Sequence, residues 1–246
     1  MRILAFDTAT RATTVALSGV GEVVYTARDD PPAGERPGHA TRLLPLTALV
    51  MERAGIGWDA VDRIAVGIGP GTFTGLRIGI ATARALARAR SVPLVGVSTL
   101  QSLALAGPRA AVTLRATDPG GTVAGLDVVL AVLDARRGEV FAASWRMDEV
   151  ETFDSALLLP RAFAPATLAE LVTPLGPTTL AIGDGALAFR QVLERSGAFI
   201  PDDDSQLHRV TATNHCRLAD GLQPSVPDEV RPDYLRAPDA EMAHRR

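Results

Sequence analysis

The sequence of 246 residues predicts a mixed α/β fold of two lobes. Three observations lead there. The chain opens on three β-branched runs joined by short turns. It continues as helical patterns alternating with short apolar strands, and that strands-then-helices order partly recurs in its second half. The recurrence is one of pattern and not of residues. The lobes are expected over 1–106 and 107–246.

In chain order, "RILAFDTAT" reads as a buried strand ending at Asp7. Thr13–Ser18 and Glu22–Arg28 follow as strands of an antiparallel meander about the turn "GVG". After the Pro/Gly-rich "DDPPAGERPG", "HATRLLPLTALVMERAGI" reads as a helix, with Leu43, Leu46 and Val50 on one line and Leu44, Ala48 and Met51 on another. Pro45 fits only near its start, because the ring clashes with the carbonyl four residues back, and Gly55 is a natural stop. "RIAVGIG" is a short strand, Thr72 to Arg90 a strong helix, "PLVGVS" a strand and "TLQSLALA" a helix start. Gly107–Gly125, rich in Gly, Pro and Thr, reads as a loop or inserted hairpin. Asp127–Asp148 predicts two strands turning at "ARRG". "PATLAELV" and "DGALAFRQVLERSG" predict helices on either side of the strand "TTLAIG". From Pro201 apolar periodicity fades; "HCRLADGL" reads as a short helix and 237–246 as a flexible tail.

Composition narrows the function classes. Apolar residues make up 47% and charged residues 22%, ordinary for a soluble globular protein. Aromatics at 4% argue against stacking platforms for single-stranded nucleic acid, and a net charge of −3 against a broad basic field. All 25 basic residues are arginine, which removes any Walker-type, Schiff-base or general-base lysine. A single cysteine, Cys216, permits no intrachain disulfide or cysteine-rich zinc site. No signal peptide or membrane-spanning run is seen, so the chain reads as cytoplasmic. His208, His215 and Cys216 lie in a polar, turn-rich segment without a known ligand spacing and read as solvated. His39, at a helix start, reads as a capping or surface residue.

"GIGPGTFTG", Gly67–Gly75, joins a strand to the strongest helix. Gly67, Gly69 and Gly71 permit a sharp turn with positive φ or close backbone approach, and the helix N-terminus behind it offers N–H groups to an anion. The spacing matches neither the P-loop nor the dinucleotide fingerprint, so a close-packing turn is the first reading and phosphate binding the second. Gly75, Gly79, Ala83 and Ala87 fall four apart and form a face of small residues, at a helix-propensity cost of about 1 kcal/mol for each glycine. Packing on the chain's own sheet and packing on a partner helix both satisfy that pattern.

"GPGTFTGLRIGIATARALA" resembles the TsaB (YeaZ) family of the threonylcarbamoyl-adenosine tRNA-modification pathway. "ILAFDTAT", "HATRLLP", "GVSTLQSLA", "DARRGEVF" and "PDYLR" resemble further family motifs, from Arg2 to about Arg236. The resemblance implies the two-lobed actin/sugar-kinase/Hsp70-like (ribonuclease H-like) fold. It also implies a non-catalytic subunit that binds and activates the paralogue TsaD, which transfers threonylcarbamoyl to the adenosine next to the anticodon. An ATPase, TsaE, joins the complex, tRNA is reached only through it, and the chain alone forms a homodimer. TsaD carries an H-x-x-x-H metal pair in the segment resembling "GVSTLQSLA"; here those positions are Thr99 and Leu103, so neither a metal site nor a catalytic residue is expected.

On this reading Leu43, Leu46, Val50, Gly75, Gly79, Ala83 and Ala87 form the partner interface, and a bulky residue at Gly79 breaks the heterodimer while sparing the fold. No cofactor is expected for the chain alone. ATP or ADP held at the complex interface would meet Asp7, Thr8, His39, Gly69, Gly71 and Thr72. The rival readings are a small-molecule ATP-dependent kinase of the same superfamily, using Asp7 and the glycine loop, and a direct tRNA-binding module.

Overall fold

The computed structural model describes residues 1–32, 34–117 and 125–236. The elements in order are β1 (Ile3–Asp7), β2 (Thr13–Val20), β3 (Val23–Asp29), α1 (His39–Ala54), β4 (Arg63–Gly69), α2 (Phe73–Arg90), β5 (Leu94–Ser98) and α3 (Thr99–Ala104). Then come α4 (Gly107–Thr117), β6 (Val128–Arg136), β7 (Glu139–Arg146), β8 (Leu158–Phe163), α5 (Pro165–Val172), β9 (Thr179–Ile182), α6 (Asp184–Ala188), α7 (Arg190–Arg195) and α8 (Ala212–Gly221).

The chain divides into two compact units, Leu103–Arg209 and Met1–Ser102 with the chain from Val210 on. A division at 106/107 therefore places the chain end wrongly. The segment from Val210 returns to the first unit because α8 is amphipathic and covers a sheet face there.

In the first unit the strand order is β3-β2-β1-β4-β5. β1 pairs antiparallel with β2 and parallel with β4, setting Leu4 opposite Leu17 and Ile64, and Phe6 opposite Val15 and Val66. Side chains alternate across a strand, so Leu4, Phe6, Val15, Leu17, Ile64 and Val66 share one face with Leu43 and Val50 of α1 and Ile80, Ala83 and Ala87 of α2. Ile3, Ala5 and Asp7 therefore face the other way, toward α8, whose Cys216 thiol reaches the carbonyls of Ile3 and Ala16. Pro45 lies inside α1 rather than at its start. Gly55, in the left-handed conformation, ends that helix as expected.

The second unit repeats the plan with four strands, β8-β7-β6-β9. Leu130, Val132, Val140 and Ala142 build one core with Leu168 and Val172 of α5 and Leu193 of α7. Three readings are corrected here. Residues 107–117 are the helix α4 and not a loop: Pro108 suits a first turn, and Ala110 and Ala111 are buried. The strand β8 was not read, because Pro160 and the exposed Leu159 obscure its alternation. "DGALAFRQVLERSG" is two short helices meeting at Phe189. The expectations for 118–124 and for 237–246 lie outside the described residues.

Candidate functional site

The glycine loop closes on the chain itself. A Cβ on Gly67 would fall 1.8 Å from Asp7 Oδ2, and one on Gly71 2.4 Å from the Ala9 carbonyl oxygen. One on Gly75 would fall 1.9 Å from the Thr8 carbonyl oxygen, and one on Gly79 2.4 Å from Thr8 Oγ1. The Thr72 amide donates to the Ala9 carbonyl at 2.7 Å and the Thr8 hydroxyl to the Gly75 carbonyl at 2.7 Å. The turn Asp7–Thr8–Ala9 thus fills the space that the missing side chains leave. Gly69 has φ 112°, a value that favours glycine, and the Asp233 amide donates to the neighbouring Ile68 carbonyl at 2.7 Å.

Asp7 is fully buried. Its Oδ1 accepts the Ala9 amide at 2.7 Å and its Oδ2 the Thr99 hydroxyl at 2.8 Å. His215 Nε2 stands 3.0 Å from Oδ2, close enough for an ion pair but out of line for a hydrogen bond. The other ring nitrogen, Nδ1, lies 2.7 Å from Ser102 Oγ and 3.1 Å from the Thr211 carbonyl oxygen. Burial alone would push the Asp7 carboxyl up; His215, the Ala9 amide and the Thr99 hydroxyl outweigh it and hold the group below the usual carboxylate range. Asp7, His215 and Ser102 have the composition of a hydrolytic triad, yet all three are fully buried, which closes them to substrate.

Several expected site residues change role. Gly75, Gly79, Ala83, Ala87, Leu43 and Val50 are buried in the first unit, and Leu46 is half-buried against the same core, so these side chains serve the fold and not a partner. The outward ridge of α2 is one position away: Thr74, Ala81 and Ala85 are exposed and Ile78 is half-exposed. Leu44 and Ala48 are exposed on α1. Asp7 and Thr8 are held inside, and the Thr72 amide is engaged by the Ala9 carbonyl. His39 is buried at the first position of α1 with Nδ1 2.8 Å from Thr13 Oγ1, a tie between helix and sheet rather than a surface group.

His208, His215 and Cys216 are likewise buried and not solvated. His215, Leu218 and Ala219 stand at i, i+3 and i+4 within "HCRLADGL", the read helix, and form its buried face. Among the described residues no three His, Cys, Asp or Glu side chains gather as a metal site, and no helix is long and apolar enough to cross a membrane.

Two sheets, each an antiparallel meander extended by parallel strands (β4 and β5 in the first, β9 in the second) and flanked by helices, define a mixed α/β class. Within that class the TsaD family model, tRNA N6-adenosine threonylcarbamoyltransferase, matches residues 32–181. The tRNA threonylcarbamoyladenosine biosynthesis protein TsaB of Escherichia coli (strain K12) is 33% identical over 83% of this chain and 80% of its own length. YeaZ from Pseudomonas aeruginosa superposes with a TM-score of 0.70 at 26% identity, over 95% of this chain and 99% of that one. A threonylcarbamoyltransferase of Novosphingobium aromaticivorans is 45% identical, but over only 30% of this chain and 21% of its own length. The chain belongs to the TsaB (YeaZ) family, a paralogue of TsaD, and is a protein of tRNA threonylcarbamoyladenosine biosynthesis.

Proposed function

We propose that the chain is a non-catalytic subunit that binds TsaD and activates threonylcarbamoyl transfer to tRNA. The observation that carries this reading is the closure of the polar centre. Asp7, Thr99, His215 and Ser102 engage one another inside the unit, and Leu103, the second position of the paralogue's metal pair, is fully buried. The same fold presents the smooth ridge Thr74/Ile78/Ala81/Ala85 with Leu44 and Ala48. A helix of TsaD packs against that ridge at close range, since small side chains let two backbones approach. A specific contact of this kind buries on the order of 1,600 Å² in total.

Isolated chains pair through the same ridge about a two-fold axis. TsaE joins the TsaD-bound form, tRNA is engaged through the complex, and any ATP or ADP at the subunit junction is held chiefly by the partners.

Labelled threonine incorporation into tRNA tests the reading, using TsaD, TsaE and the adenylate-forming enzyme with and without this chain. Incorporation that requires both TsaD and this chain is the expected result. Incorporation indifferent to this chain, or product formed without TsaD, overturns it.

A further inference from the structure

The glycines at 67, 71, 75 and 79 let the turn Asp7–Thr8–Ala9 pack directly on the loop and on α2, and that turn also carries polar contacts. Those contacts form a short path. His215 of α8 meets Asp7 Oδ2 at 3.0 Å, and Asp7 Oδ1 accepts the Ala9 amide at 2.7 Å. The Ala9 carbonyl accepts the amide of Thr72, which caps α2, at 2.7 Å. Between them Thr8 holds the Gly75 carbonyl at 2.7 Å. A buried carboxylate needs a close polar partner or a full set of donors, and the His215 ring stands within ion-pair distance of it. α8 and α2 lie on opposite faces of the sheet, so the turn after β1 is the bridge between them.

We infer that His215 is a positioning residue: its pair with Asp7 is an internal clasp that fixes the first turn of α2. With the imidazole in place the carboxylate is held toward Gly67, Ala9 is fixed by its amide, and Thr72–Leu76 start the helix at one position. Without it, Asp7 keeps the Ala9 amide and the Thr99 hydroxyl but loses the imidazole beside Oδ2, and the turn Asp7–Ala9 gains freedom.

Amide hydrogen exchange on the full chain tests this without any partner. In His215→Ala the amides of Thr72–Leu76 should exchange about tenfold faster, with amides at the centre of β1 and β4 unchanged. His215→Gln, which keeps a polar side chain beside Oδ2, should restore part of the protection, and Cys216→Ala, whose thiol reaches the Ile3 and Ala16 carbonyls and not Asp7, should leave it as it is. Ser102→Ala, which removes one of the two partners of the far ring nitrogen and leaves the Thr211 carbonyl, should give a smaller rise at the same amides and serves if His215→Ala does not fold. Unchanged exchange at Thr72–Leu76 in both His215→Ala and Ser102→Ala, or a uniform rise across the whole unit, overturns the inference. Neither outcome bears on whether TsaD binds, because no partner is present.

Discussion

The Thr8 carbonyl oxygen stands 1.9 Å from where a Cβ on Gly75 would be, and the Thr8 hydroxyl donates to the Gly75 carbonyl at 2.7 Å. The neighbour in the way is backbone, which cannot swing aside as the end of a long side chain can. Gly75→Ala would gain about 1 kcal/mol of helix propensity, but the overpacking costs more. The net loss should be at least about 2 kcal/mol in urea melts, or a melting point lower by roughly 4–8 °C. A bulky residue at Gly79 should likewise unfold the first unit instead of selectively breaking a heterodimer. A Gly75→Ala protein as stable as the parent would show that the turn after β1 yields easily.

The outward ridge predicts the opposite pattern. Ala81 is exposed, so Ala81→Glu should change stability by no more than about 0.5 kcal/mol. A glutamate there would set a larger, charged side chain into the close helix contact, and co-purification with TsaD should be lost. Retained co-purification together with an unchanged melting point would move the docking face elsewhere.

These two cases also mark what the sequence could tell. The period of Gly75, Gly79, Ala83 and Ala87 announced a close approach. It could not say to what, because the contact is with Thr8, 67 residues away in the chain. The meander, α1, α2 and the strand–helix order of the first unit were legible because each carries its own period. The depth of His215 and Cys216 was not, since a single polar-looking stretch does not reveal that a sheet face lacks a cover. Helix α4 was missed because Gly107 and Pro108 at its start resemble loop residues. In the structure Gly107 serves close contact with Val129, where a Cβ would fall 2.8 Å from a side-chain carbon.

His39 predicts a loss of stability in mild acid. Burial pushes its imidazolium down, and the nearby Asp7 charge, the Thr10 carbonyl and Asp29 offset this only in part. The unfolded chain takes up the proton near about pH 6.5, whereas the folded chain takes it up at lower pH. This contribution is therefore fully present above that range and is lost as the pH falls from it toward the folded value, with a slope of at most about 1.4 kcal/mol per pH unit. Denaturant melts from pH 7.5 to 5.5 should show a slope in the parent that His39→Gln lacks. Parallel curves would remove His39 as the source.

Cys216 offers a probe of α8. Burial pushes its thiol up to about 11, and the sulfur is shielded by the sheet. Thiolate is the reactive form, so iodoacetamide at neutral pH should modify the native chain far more slowly than the urea-unfolded chain. His215→Ala should speed labelling if it lets α8 open. Fast labelling of the native parent would mean that α8 leaves the sheet readily.

The chain after α8 crosses to α2, and the Arg84 guanidinium is one of its ties there. Arg84 donates from Nε to the Val230 carbonyl at 3.0 Å, and from Nη2 to the same oxygen at 2.6 Å and to the Asp228 carbonyl at 3.1 Å. Lysine, a point donor, cannot reproduce that fork. The neighbouring pair Arg88–Asp228 is exposed on both sides, and such pairs contribute about 0–1 kcal/mol. Arg84→Ala should therefore raise limited proteolysis within residues 223–236 by about tenfold, Arg84→Lys by an intermediate amount, and Arg88→Ala very little. The melting point should fall in Arg84→Ala, because a released segment withdraws Val230 from the core of the first unit, and should hardly move in Arg88→Ala. Tyr234 reports the same event optically: its ring stacks on Phe73 with centroids 5.3 Å apart, and Arg77 lies 3.7 Å over the other ring. A released segment should lose that stack, and tyrosine fluorescence should change in step with cleavage. Cleavage that rises as much in Arg88→Ala as in Arg84→Ala would assign the tie to surface charge instead of the fork.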